Sequence, residues 1–497
     1  MSKLLVSVLS IFFSTICLAQ VKPKAAAAPA KTGYSIKATI TPYKNCWLYL
    51  GCYYGKYRNL VDSAYVNAQS QAEFKGSKKL PGGLYFLVSP TKTILFEILM
   101  DDKQQMTVKA DSAEVEKAII TGSKDNDLFQ TYTKYLGTQV PAMTAAQNNF
   151  KQAKTAEDSA KWRSIIIDQN KALTTYRDNI VKANPTSMLA AFFNTIKRPE
   201  PPAIPTVNGK PDSAYPFRFV KEHFWDDVDF GDERILRTPF FDPKVDEYFK
   251  NYVSPEPDSI IPEVNYMLLA SRPANDMFKY LLGKFTDKYV NPEIMGQDKV
   301  FIFLFNNFFS KGDTAWLSVK QREFIFNRAY SLMANQLNEP APTLTLYDTL
   351  GKEQSLYSVQ APYTLIAFWD HTCGHCKEQI PRYDSIYKAK WKTLGIKVYS
   401  VNSCDKLHDK AGFAKAVNEW SNFLKEKNIT DWIQVYQPKN KREEEIANQQ
   451  AGFKQLYDVY QTPTFYLLDK DKKIIAKRLS LEQFDGLIDA KIKQDKK

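Results

Sequence analysis

The residues best suited to chemistry in this chain are two cysteines in the run Cys373-Gly374-His375-Cys376. A dithiol exchanges disulfides when one sulfur is a thiolate at the working pH and the other can attack the mixed disulfide. The run follows an apolar segment, residues 363–369, and precedes apolar residues at helical spacing, so we predict that it joins a strand to a helix. Free N–H groups and the macrodipole at a helix start favour a thiolate at Cys373.

The spacing assigns a different role to each residue of the run. We predict that Cys373 is the nucleophile and that Cys376, one turn further and more buried, is the resolving cysteine. Gly374 belongs to the same catalytic turn, and His375 can stabilise the thiolate through positive charge or a hydrogen bond.

Half a zinc site and a structural disulfide are the alternative interpretations of this pair. Zinc normally needs four ligands. The chain has no second CxxC, and its only histidines are His223, His371, His375 and His408. We therefore predict redox chemistry with no metal and no cofactor, and we expect His371 and His408 at the surface.

The N-terminus predicts export. A short positive start is followed by a mostly apolar run, residues 4–18, and by Cys17-Leu18-Ala19 at the spacing that a signal peptidase recognises. We predict a signal peptide over residues 1–19 and a location in the periplasm or cell envelope. The run is shorter than the ~20 residues of a spanning helix, which makes an uncleaved anchor the weaker alternative.

The cysteines that remain after cleavage are too few and too scattered for a disulfide scaffold. Cys46 and Cys52 lie six positions apart on one predicted strand, about 20 Å if extended, so we interpret them as packed thiols. Cys404 follows a predicted strand and is expected to be a buried spectator rather than a third redox centre.

The sequence pattern predicts a multidomain protein. Residues 20–33 are an Ala/Pro/Lys-rich tether. Strand-like segments over residues 34–111 predict a small β-sandwich, helical spacing over 112–337 predicts an all-α middle domain, and alternating strands and helices over 338–497 predict an α/β domain. The net charge of +12 comes from interleaved acids and bases, which argues against nucleic acid as a partner.

The segment AFWDHTCGHCKEQIP resembles the strand–CxxC–helix signature of the thioredoxin superfamily, and Thr462-Pro463 resembles its cis-proline loop. The resemblance implies a thioredoxin fold for residues 338–497. It also implies substrate binding by Thr462 and Pro463, with Trp369 either in the core or at the substrate.

Within the superfamily, the lead-in APTLTLYDTLGKEQSL resembles the periplasmic TlpA/ResA-like branch. The two regions before it resemble uncharacterised modules of bacterial envelope proteins.

Two positions depart from the family pattern. Ala367 stands where thioredoxins have a buried Asp, and Gln379 stands where the TlpA/ResA-like branch often has Glu. Glu378 is our candidate proton acceptor for Cys376, with Asp370 or a water as alternatives.

The leading functional hypothesis is a protein-disulfide oxidoreductase of the cell envelope. Its partners would be protein thiols and disulfides and, by family analogy, a membrane electron donor, with a role in cell redox homeostasis or cytochrome c maturation. The alternatives are a peroxiredoxin-type thiol peroxidase and a non-catalytic envelope scaffold with a redox tether.

Overall fold

The computed structural model describes residues 33–409 and 411–495. The predicted signal peptide lies outside these residues, as does all of the predicted tether except Gly33. Contacts divide the chain into two compact units. Among the described residues, the first contains 33–52 and Asn59–Trp162, and the second contains Tyr53–Arg58 and the residues from Arg163 onwards. Among the described residues, no helix offers an apolar stretch long enough to cross a membrane.

The first unit contains two four-stranded sheets that share one apolar core. Their strands are β1 (Tyr34–Thr41), β2 (Cys46–Tyr54), β3 (Tyr57–Val66), β4 (Gln71–Gly76), β5 (Gly83–Val88), β6 (Ile94–Met100), β7 (Gln105–Asp111) and β8 (Ile119–Thr121). The strand orders are β4-β1-β7-β8 and β3-β2-β5-β6. Along β1, Ile36, Ala38 and Ile40 are buried and alternate with more exposed residues, as a strand with one face on a core requires.

The predicted sandwich boundary at residue 111 is too early. Strand β8 pairs with β7 in the first sheet, and the helix α1 (Lys124–Gln152) belongs to the same compact unit. Ser123 caps this helix by accepting a hydrogen bond from the N–H of Asn126. The buried side chain of Asn126 in turn hydrogen-bonds the backbone of Leu99 in β6.

Helices dominate the chain from residue 156 to 333. They are α2 (Ala156–Ala183), α3 (Met188–Ile196), α4 (Tyr215–His223), α5 (Phe241–Asn251), α6 (Pro257–Ala270), α7 (Asn275–Tyr289), α8 (Asp298–Asn307) and α9 (Val319–Met333). Two short paired strands, β9 (Thr206–Val207) and β10 (Lys210–Pro211), interrupt them, so the region is not purely helical. Apolar residues of α5 to α9 form one continuous core, and Ser318 and Gln321 form a capping box at the start of α9.

The C-terminal region contains a seven-stranded sheet with strand order β12-β11-β15-β14-β13-β16-β17. These strands are β11 (Thr345–Tyr347), β12 (Glu353–Ser355), β13 (Thr364–Trp369), β14 (Lys397–Asn402), β15 (Ile433–Tyr436), β16 (Thr464–Leu468) and β17 (Ile474–Lys477). The helices are α10 (Gly374–Ile386), α11 (Phe413–Glu426), α12 (Lys439–Ala447), α13 (Phe453–Leu456) and α14 (Leu481–Asp495). Strands β13, β14 and β15 are parallel, whereas β16 and β17 run antiparallel to their neighbours.

Strand β13 lies in the middle of this sheet and leads directly to the CxxC. Its residues alternate between two cores, with Leu365, Ala367 and Trp369 on one side and Ile366 and Phe368 on the other. All six residues of the strand are buried, as expected for a sheet covered on both faces. The cysteines therefore follow the carboxyl end of a strand fixed from both sides.

Candidate active site

Cys373 lies at the N-cap position of α10, immediately after the turn that follows β13. Burial raises the pKa of its thiol, but hydrogen bonds from Cys376, Thr462 and the backbone N–H of His375 outweigh that effect. The net result is a pKa below the ordinary value of a thiol. Cys373 is also partly exposed, so a thiolate formed there can meet a substrate.

Cys376 lies one helical turn further and is fully buried. Burial raises the pKa of its thiol to about 12. The backbone N–H of Asp370 points at its sulfur over 3.5 Å. The pKa of the Cys376 thiol is therefore higher than that of the Cys373 thiol.

The loop before β16 supplies the other side of the site. The peptide bond between Thr462 and Pro463 is cis, the isomer expected from the family resemblance. Strand β16 pairs with β13 so that Thr464 lies opposite Phe368, which places the loop beside the CxxC. The carbonyl oxygen of Thr462 lies 3.6 Å from the sulfur of Cys373 and accepts a hydrogen bond from its thiol.

The two remaining polar candidates on α10 both face solvent. His375 is exposed, and its backbone N–H, after the hydrogen bonds from Cys376 and Thr462, is one of the groups that lower the Cys373 pKa. Glu378 is exposed two residues after Cys376, about 200° around the helix from it. This placement argues against Glu378 as the proton acceptor for the buried thiol, whereas the backbone N–H of Asp370 lies 3.5 Å from the Cys376 sulfur.

Trp369 and His371 are both buried. The indole N–H of Trp369 donates to Ser400 Oγ over 2.8 Å, so of the two positions expected for this residue, core and substrate contact, the structure supports the core. His371 is 3% exposed, and its Nδ1 lies 2.9 Å from the side-chain amide of Asn402, so the predicted surface position is wrong. Both side chains are covered because the sheet is enclosed on both faces.

Cys404 is buried, as predicted, and it lies beside the catalytic turn. Ligand-type atoms of Asp370, His371 and Cys404 lie within 4.8 Å of one another. The Asp370 carboxylate already accepts two hydrogen bonds from Thr372. No sequence pattern indicated this cluster, because Cys404 lies 33 positions after His371 in the chain. The absence of a metal stays a prediction.

Comparison with known proteins assigns families to three stretches of the chain. Residues 337–477 match the AhpC/TSA family, residues 143–332 match a domain of unknown function, DUF5106, and residues 34–129 match another, DUF4369. The thiol-disulfide oxidoreductase ResA of Bacillus cereus is 23% identical over 156 residues, which cover 31% of this chain and 77% of that protein.

Two solved structures are similar to parts of the chain. A domain of a possible thiol-disulfide isomerase from Cytophaga hutchinsonii is 37% identical, with 32% of this chain and 95% of that chain covered and a TM-score of 0.27. A thioredoxin-like protein from Bacteroides caccae is 20% identical, with 59% of this chain and 98% of that chain covered and a TM-score of 0.42.

The family match over residues 337–477 and the ResA relative agree with the strand–CxxC–helix geometry. Through its C-terminal region, the chain belongs to the thioredoxin superfamily, in the TlpA/ResA-like branch. It is a thioredoxin-like protein-disulfide oxidoreductase.

Proposed function

We propose that the protein exchanges disulfides with proteins of the cell envelope, with Cys373 as nucleophile and Cys376 as resolving cysteine. The observation that carries this proposal is the contrast between the two thiols. The pKa of Cys373 is lowered at a partly exposed helix end, while the pKa of the buried Cys376 is raised to about 12. Near neutral pH, Cys373 is therefore the more readily ionised of the two thiols.

The reaction proceeds in two thiol–disulfide exchanges. The Cys373 thiolate attacks one sulfur of a substrate disulfide, forms a mixed disulfide and releases the other substrate sulfur as a thiolate, which takes up a proton. Cys376 then loses its proton and attacks the Cys373 sulfur. The second substrate thiol leaves, and the enzyme holds the Cys373–Cys376 disulfide. The substrate gains two electrons and two protons, and the reverse sequence oxidises a dithiol.

We further propose that Thr462 and Pro463 bind the backbone of the substrate next to the reacting sulfur. The proximity of the Thr462 carbonyl to Cys373 supports this role. An extended substrate segment that hydrogen-bonds to the loop would present its cystine to Cys373, a short form of β-strand addition.

Export, domain boundaries and biological role complete the proposal. The N-terminal sequence supports cleavage after Ala19 and a periplasmic location. A sandwich and a helical domain precede the catalytic domain, which begins near residue 338. Family analogy supports a role in redox homeostasis or cytochrome c maturation, with electrons supplied by a membrane donor.

The direct test is reduction of insulin by the full-length mature chain in the presence of dithiothreitol. Turnover by the wild type and its loss in Cys373→Ser are expected. A wild type no faster than dithiothreitol alone would favour the scaffold alternative. Trapping of mixed disulfides with Cys376→Ala, followed by mass spectrometry, would then identify the substrates.

A further inference from the structure

The loop that approaches Cys373 joins α13 to β16 and consists of residues 457–463. It is held in place by contacts with the helical region as well as by contacts within its own domain. Asp458, just after α13, is 1% exposed. Its carboxylate forms ion pairs with Arg328 of α9 and with Arg478, which follows β17. Arg478 also donates to the Asp458 carbonyl over 2.8 Å. The Asp458 carboxylate therefore links α9 to the start of the loop that approaches Cys373.

Arg328 is held from several sides. It is 6% exposed, and its guanidinium donates to Asn291 Oδ1 over 2.7 Å and to the Val290 carbonyl over 3.3 Å. A buried charge that loses its partner is strongly destabilising, so the position of Asp458 depends on this arginine. The junction is thus a fixed structural element rather than a surface ion pair.

Tyr460 projects from the same loop and is also held by α9. Its hydroxyl shares a hydrogen bond of 3.2 Å with Ser331 Oγ, and its ring centroid lies 5.9 Å from the Arg328 guanidinium. The residue is nevertheless 69% exposed. An exposed aromatic ring that is already immobilised can bind a partner at a small cost in conformational entropy, and tyrosine is among the residues enriched at binding hot spots.

We infer that Tyr460 contacts the protein substrate and that Arg328 and Ser331 of the helical region position it. This inference rests on the proposed disulfide exchange at Cys373. Tyr460 precedes Thr462 by two residues, about 7 Å along an extended chain. A polypeptide that pairs with the backbone of Thr462 would pass over the ring, whereas a small disulfide can react at Cys373 without reaching it. The helical region thereby contributes to selection of protein disulfides over small ones.

The test compares a protein disulfide with a small one in the full-length chain. Tyr460→Ala should lower kcat/KM for insulin about tenfold, mainly through KM, as expected for truncation of a hot-spot tyrosine. It should change reduction of oxidised glutathione less than twofold. Ile446→Ala on α12 is the matched control, because Ile446 is 67% exposed in the same domain. It should leave both rates unchanged.

Two milder variants test the positioning by α9. Tyr460→Phe and Ser331→Ala each remove one hydroxyl of the shared hydrogen bond and should raise the KM for insulin two- to threefold. The rate of Cys373 alkylation at pH 7 should not change in either variant. If Tyr460→Ala affects both disulfides equally, or neither, the inference is overturned while the proposed function stands. A wild type inactive on both disulfides would overturn the proposed function and the inference with it.

Discussion

The sulfur of Cys373 and the carbonyl oxygen of Thr462 lie 3.6 Å apart although 89 residues separate them in the chain. The antiparallel pairing of β13 with β16 produces this proximity, because β13 ends shortly before Cys373 and β16 begins shortly after Thr462. The reacting sulfur and the loop proposed to bind the substrate are therefore fixed relative to one another before any substrate arrives.

The unequal thiols predict a pH-dependent difference in reactivity. Alkylation requires the thiolate, so the rate at each cysteine rises with pH through its pKa and levels off above it. Because the pKa of Cys373 is lowered and that of Cys376 is about 12, Cys373 should be alkylated far faster at pH 6–7. Mass mapping after brief iodoacetamide treatment of the reduced protein measures this, and equal labelling of both cysteines would contradict the assignment.

The cysteines outside the motif should be dispensable for exchange. Cys373→Ser should abolish insulin reduction, because a serine hydroxyl cannot form the mixed disulfide. Cys46→Ser, Cys52→Ser and Cys404→Ser should each retain most of the turnover. Circular dichroism provides the folding control. A variant of this second group that folds normally and yet loses activity would reveal a second redox centre, with Cys404 the first suspect because it lies beside Asp370.

Two substitutions of His375 distinguish the effect of its imidazole ring on the Cys373 pKa from the effect of its backbone N–H. His375→Ala removes the imidazole but keeps the backbone N–H, which is one of the groups that lower the Cys373 pKa, whereas His375→Pro removes both. We expect His375→Pro to raise the Cys373 pKa clearly and His375→Ala to raise it much less. A thiolate that is less stable makes the reduced form less stable, so His375→Pro should also have the more negative potential.

Thiolate absorbance against pH measures the Cys373 pKa, and equilibration with glutathione measures the redox potential of the Cys373–Cys376 pair. We expect the wild-type potential to be intermediate between about −270 mV, the value of thioredoxin, and about −180 mV, that of disulfide isomerase. Unchanged values in both variants would show that His375 has no part in tuning the site. Equal shifts in the two variants would assign the effect to the imidazole instead of the N–H.

The buried pair Lys477–Asp298 should be important for stability. Its charged atoms lie 2.7 Å apart, and both side chains are almost fully buried. Asp298→Ala would leave the Lys477 charge without its carboxylate, at a cost of about 3–5 kcal/mol. The control is Asp258→Ala, which breaks the exposed pair with Lys299 and should cost about 0–1 kcal/mol. Urea unfolding followed by tryptophan fluorescence compares them, and similar midpoints would refute the distinction.

The sequence predicted the catalytic turn correctly because its signals are local. An apolar run ends at Trp369, helical spacing begins after Cys376, and burial of the second cysteine follows from the helical turn between the two. The helix itself was predicted less well. Regular spacing of Ile380, Tyr383 and Trp391 suggests one continuous helix, but a single π-helical turn, Tyr387–Trp391, follows α10.

Two kinds of feature could not be predicted from local sequence patterns: a helix with few apolar residues, and an ion pair between residues far apart in the chain. Helix α1 extends from Lys124 to Gln152, although its later turns carry few apolar residues and contain Pro141, so its length is not evident from apolar spacing. The ion pair of Arg328 with Asp458 joins positions 130 residues apart, and no local pattern marks either residue. Charged residues are normally expected in solvent, so their burial is visible only in the fold.

The Arg328–Asp458 pair also has a consequence for how the protein is made. Synthesis runs from the N-terminus at about 5–20 residues per second, so Arg328 is added roughly 6 to 26 s before Asp458. Helix α9 and the core beneath it can therefore form while the catalytic loop is still untranslated. We therefore expect the loop to close against a surface of the helical region that is already formed.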